Sequence, residues 1–105
     1  MISEFELWNR IEQLEGRTIQ TTTARYPRLI KTVSDSRLII EGRSKPISRN
    51  HIARAYKSLN DDGELRVGMT KHWLWQIVPP IIHAAIPDET ELILETPNGI
   101  RIKAQ

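Results

Sequence analysis

Two adjacent prolines, Pro79 and Pro80, sit in the middle of IVPPII, the longest apolar run of the chain. Proline has no N–H to donate and its ring crowds the preceding turn, so a helix is expected to end or restart there. The sequence therefore predicts one helix through KHWLWQIV, which Thr70 can cap. A second short helix, PPIIHAAIP, follows with Pro80 near its first position. The run is far too short to span a bilayer, and no membrane partner is expected.

The rest of the chain alternates between helical and extended patterns. In SEFELWNRIEQLE (residues 3–15), Leu7, Ile11 and Leu14 recur at helical intervals beside Trp8. Ser3 and Glu6 have capping-box spacing, and Gly16 fits the stop. Residues 17–42 lack helical period and are rich in Ile, Val, Thr and Leu. They read as a meander of three antiparallel strands turning near Pro27 and Asp35. ELRVGMT is open between a strand and an extended connection. ELILETPNGIRIKAQ reads as a hairpin turning at Asn98-Gly99. The expected fold is α+β in one domain over residues 1–105. Its order is N-terminal helix, small antiparallel sheet, amphipathic basic helix, one or two short apolar helices and C-terminal β-hairpin.

The basic helix lies in KPISRNHIARAYKSL. Ser48 is the expected N-cap, and Ile52, Ala55, Tyr56 and Leu59 at i, i+3, i+4 and i+7 make one apolar stripe. Asn50, Arg54 and Lys57 fall opposite, with Arg49 at the edge, and Gly63 is the expected left-handed stop. Charge is concentrated around this helix. Residues 17–60 hold ten Lys or Arg against Asp35 and Glu41, a net +8, while each flank carries −3. A concentrated basic segment attracts polyanions, although acidic flanks can fold back and neutralise it, and a charge run is commonly just a solvated face.

The expected contacts to nucleic acid, with duplex DNA as the partner, are Arg43, Lys45, Arg49, Asn50, Arg54 and Lys57. Arg25, Arg28 and Lys31 are expected as supporting phosphate contacts. Free N–H groups at the helix start would add a phosphate site. The alternative is a protein-interaction module or homodimer using Trp73, Trp75 and the edge of the terminal hairpin. A winged-helix layout with Arg101 and Lys103 on the wing fits less well, because a long proline-containing segment separates helix from hairpin.

LWNRIEQLEGRTIQT, ISRNHIARAYKSLNDDGEL and PPIIHAAIP together resemble a small prokaryotic domain. That domain has a Trp-containing first helix, a Gly-x-Thr/Ile strand entry and an Ile-x-Arg helix entry before an Ala-Tyr pair. The likeness covers residues 7–65 and 79–87 and rests on core and turn residues. It implies a shared small fold, sometimes associated with DNA-related or defence functions in bacteria, and carries over no catalytic residue.

No reaction is legible. His51, His72 and His83 lack partners at zinc-ligand spacing, so no metal is expected. There is no phosphate-binding Gly motif and no nucleophile motif, so no cofactor and no enzyme are expected. Glu91 and Glu95 share a strand face but lack the lysine of a nuclease strand. With no cysteine and acids at the start of the chain, a cytoplasmic protein is expected.

Overall fold

The computed structural model describes residues 2–20, 27–66, 74–95 and 97–103, without the side chains of 74–76. Thr70, Trp73 and Arg25 lie outside the described residues, as does the side chain of Trp75. Among the described residues three helices and two small antiparallel sheets give an α+β architecture. Helix α1 (Glu4–Glu12) starts where Ser3 Oγ accepts the Glu6 N–H at 3.1 Å. It buries Leu7, Trp8 and Ile11, the apolar face its periodicity requires.

The first sheet has the expected meander plus a short fourth strand. Its order is β1 (Thr18–Ile19), β2 (Arg28–Val33), β3 (Arg37–Ile40) and β4 (Ile47–Ser48). Ile30 pairs with Ile40 and Leu38 with Ile47, and all four are buried on one face. The register shifts between Ile30 and Thr32, so the exposed Lys31 is the extra residue of a bulge.

β4 feeds directly into α2 (Arg49–Asp62). Ser48 caps it, and Gly63 ends it at φ +79° with its N–H on Leu59 O at 2.8 Å. A β-carbon is strained in that conformation, which is why glycine stands there. The buried residues are Ile52, Ala55, Tyr56 and Leu59, as the stripe predicts. Tyr56 also ties α2 to the start of the chain, its hydroxyl donating to Ile2 O at 2.6 Å.

The prolines do not divide the apolar segment. Residues Leu74–Ala85 form one helix, α3, with Pro79 and Pro80 inside it. The two rings remove two N–H donors and cost about 3 kcal/mol each in an exposed helix. Here Ile77, Val78, Ile81 and Ile82 beside them are all buried. Burying each such side chain contributes roughly 1.5–3 kcal/mol, so burial offsets the broken bonds. The helix is apolar around its circumference because it touches α1, α2 and strands of both sheets.

The second sheet contains the expected C-terminal hairpin and adds a strand to it. Its order is β5 (Glu64–Arg66), β7 (Gly99–Ile102) and β6 (Thr90–Ile93), all antiparallel. Residues 64–66 of the ambiguous ELRVGMT are therefore a strand. β7 is central, so β5 covers one edge of the hairpin and β6 forms the other. Gly99 lies in the strand opposite Ile93 and Arg66, with no positive φ, so Asn98-Gly99 is not a two-residue turn. What requires glycine is proximity. A β-carbon there would overlap Leu65 O and lie 2.7 Å from Arg66 Cα.

Thr90, fully buried, joins α3 to β6. Its hydroxyl donates to Ile86 O at 3.0 Å, so it must accept from His83 Nδ1 at 2.8 Å. The neutral ring therefore carries its proton on Nδ1. Burial, then nearby Lys103, lowers the His83 pKa below 6.5. With the folded pKa lowered, the unfolded state binds the proton more readily, and stability falls as pH drops through 6.5. Thermal melts between pH 7.5 and pH 5, about two units around a free histidine, are expected to show this loss. His83→Gln should flatten it. An unchanged slope in that variant would contradict the assignment.

Candidate nucleic-acid interface

The side of α2 opposite its buried stripe carries Asn50, Arg54 and Lys57, all exposed. With Ala53 they stand at i, i+3, i+4 and i+7 and line an open depression of about 470 Å³. The short Ala53 side chain leaves the hollow, and the three longer ones surround it. From Asn50 to Lys57 the helix rises about 10 Å, the rise of three base pairs. Exposed Asp61, one turn beyond Lys57, bounds the basic tract.

Arg49 is placed differently. It is seven residues from Tyr56, two full turns, and so shares the direction of the buried stripe. Its Nε lies 3.2 Å from Glu4 Oε1, and a terminal nitrogen donates to Asp35 O at 3.2 Å. Its guanidinium carbon sits 5.5 Å from the Trp8 ring centroid and 5.9 Å from that of Phe5. Those contacts hold α1, the β2–β3 turn and α2 together. The seven-residue spacing was the signal that could have revealed this.

The start of α2 offers less than expected. Ser48 Oγ takes the His51 N–H at 3.1 Å, and Ser36 O takes the Arg49 N–H at 2.8 Å. Two of the amides expected to be free for a phosphate are thus engaged.

The remaining residues spread outward. Arg43 and Lys45 lie in the exposed connection between β3 and β4. Lys31 is exposed on β2, while Arg28 is half-buried opposite Ile19. In strand order β3 separates β2 from β4, so β2 lies about 10 Å from the strand that leads into α2. α2 itself packs on α1, α3, β5 and β7 and meets the first sheet through β4. The structure brings together Asn50, Arg54 and Lys57, and sets Arg28 and Lys31 apart from them.

On the possible wing, Arg101 is paired across the strands with Glu91 at 2.6 Å, and that bond raises its pKa. The apolar segment that follows Trp73 and Trp75 is buried over residues 77–82. Among the described residues no group of three or more acids or histidines could hold a metal, and no helix is long and apolar enough to cross a membrane. No protein-family model, curated protein or solved structure matches the chain, so any functional reading rests on its own surface.

Proposed function

We propose that this chain is a non-enzymatic nucleic-acid-binding protein that meets duplex DNA with the outer face of α2. The observation that carries the reading is the exposed Asn50, Arg54 and Lys57 around one depression, within a segment of net +8. Arg54 and Lys57 would pair with phosphates, and Asn50 is placed to reach a base edge or a sugar. Lys45, Arg43 and Lys31 extend the positive field, while Arg49 fixes the helix rather than the ligand.

Such binding is electrostatic and strongly salt-dependent. With about four phosphates neutralised, affinity should fall roughly 100-fold between 50 and 200 mM salt. Fluorescence anisotropy with a labelled duplex measures this. Arg54→Glu with Lys57→Glu should weaken binding at least about 30-fold and lower the salt slope by about two. No binding at low salt, or equal binding by the double variant, would sink the reading.

A second reading, self-association or a protein partner, is favoured by Leu92 and Leu94, 43% and 77% exposed on and just beyond the edge strand β6. Exposed leucines at a sheet edge invite strand addition. Sedimentation decides it: a monomer that Leu92→Lys with Leu94→Lys leaves unchanged disfavours this edge as an interface.

A further inference from the structure

β6 closes one side of the second sheet, and its outer edge has no neighbouring strand among the described residues. Lys103 N–H donates to Glu89 O at 3.0 Å, which sets the phase of the ladder. Residues 89, 91 and 93 therefore turn their backbone groups toward β7, and Leu92 turns its N–H and C=O outward. Thr90 N–H also points outward but is taken by Ile86 O at 3.2 Å. The side chains alternate with the same period. Leu92 stands opposite the buried Ile100, so it lies on the face of the sheet that rests against α3. It is exposed there because the sheet ends, and the exposed Leu94 follows two residues on.

The charges along this edge have one sign. Asp88 and Glu95, both exposed, bracket β6, and neither has an ion pair among the described residues. Glu91 is engaged by Arg101 on the opposite face from Leu92. This pattern opposes pairing with a second copy of the chain. A twofold register that sets Leu92 opposite Leu92 also sets Glu89 opposite Glu95, and one that sets Leu92 opposite Leu94 sets Glu91 opposite Glu95. Symmetry repeats each clash, and like charges directly opposite destabilise a strand pair.

We propose, resting on the strand-addition reading of this edge, that β6 receives an extended segment of a different protein, with Lys or Arg at both ends of an apolar-polar alternation. The segment becomes the fourth strand of the second sheet. Its backbone pairs with the Leu92 N–H and C=O, and its apolar side chains cover Leu92 and Leu94. Its cations meet Asp88 and Glu95. Backbone bonds give affinity for any strand, and the two carboxylates select a basic one. The site is independent of the α2 face and stands or falls without it.

NMR titration of the isotope-labelled full chain with the blocked peptide Lys-Val-Thr-Val-Thr-Val-Thr-Lys tests it. Laid antiparallel to β6, this peptide sets valines opposite Leu92 and Leu94 when its lysines stand opposite Asp88 and Glu95. The comparison probes are the same peptide with Glu at both ends and the Lys-ended peptide N-methylated at its valines. Saturable shifts at Leu92 and Leu94 are expected. At low salt the Lys-ended peptide should bind about tenfold more tightly than the Glu-ended one, and the N-methylated peptide should not bind. Asp88→Lys with Glu95→Lys, at exposed positions, should keep the melting curve and reverse the order of the two charged peptides. Three results overturn the proposal: no shift at Leu92 with millimolar Lys-ended peptide, equal binding of the N-methylated peptide, or a charge variant that keeps the parent's order. A dimer that Leu92→Lys with Leu94→Lys dissolves, found together with no peptide binding, overturns the proposal and leaves self-association at this edge standing.

Discussion

Gly99→Ala is expected to lower the melting temperature by roughly 10–20 °C, corresponding to about 3 kcal/mol. The new methyl would overlap Leu65 O and crowd Arg66 Cα, both backbone atoms of β5. A side chain can rotate away from such a contact, whereas a strand must move as a unit. Moving β5 would disturb the pairs Glu64 with Arg101, Leu65 with Ile100 and Arg66 with Gly99. It would also strain the Arg66 bond to Pro97 O at 2.9 Å, which holds the β6–β7 connection. Gly42→Ala is the control. Gly42 has φ +83° and open space around it, so only the left-handed backbone penalty of about 1 kcal/mol applies. Equal losses at the two sites, measured by denaturant or thermal unfolding, would show that the close approach of β5 is not what requires Gly99.

Trp8→Ala should be more damaging, at about 3–5 kcal/mol. That is a large share of the roughly 5–15 kcal/mol that stabilises an ordinary domain. Trp8 is 2% exposed, and its Nε1 donates to Ser34 O at 3.1 Å, linking α1 to the β2–β3 turn. Its ring is also one of the two over which Arg49 lies. Removing it leaves a cavity, an unpaired carbonyl and a loosened arginine at the first turn of α2. Trp8→Phe separates these effects: the core stays largely filled and the Ser34 carbonyl loses its donor, for about 1–2 kcal/mol. If Trp8→Phe costs as much as Trp8→Ala in chemical denaturation, the hydrogen bond rather than ring volume dominates at this site.

Both predictions concern residues whose roles differ in how far they can be read from sequence. Trp8 stands among Leu7 and Ile11 on a helical stripe, and its burial follows from that pattern. Gly99 carries a misleading signal, because an Asn-Gly pair between two β-rich runs is the usual mark of a tight hairpin turn. Nothing local to PNG records that β5, more than thirty residues earlier in the chain, would lie close against it.

The candidate surface divides in the same way. Asn50, Arg54 and Lys57 were legible because helix period alone places them opposite Ile52, Ala55, Tyr56 and Leu59. The engagement of Arg49 needed Glu4, Phe5 and Trp8 of another helix and a carbonyl from a turn between strands. The separation of Arg28 and Lys31 from α2 needed the strand order of the first sheet.

By itself the sequence determined where most elements form and which face of each turns inward. Caps at Ser3 and Ser48, stops such as Gly63 and the spacing of apolar residues act over a few residues, so one stretch of chain contains the whole cause. Only the tertiary structure decided that α3 runs through Pro79 and Pro80, that β7 is central and that Arg49 pairs with Glu4 and lies over Trp8. In each case a local preference was opposed or redirected by burial and by partners distant in sequence. Periodicity can indicate that a side chain will be buried, but what it packs against is set by the assembled core.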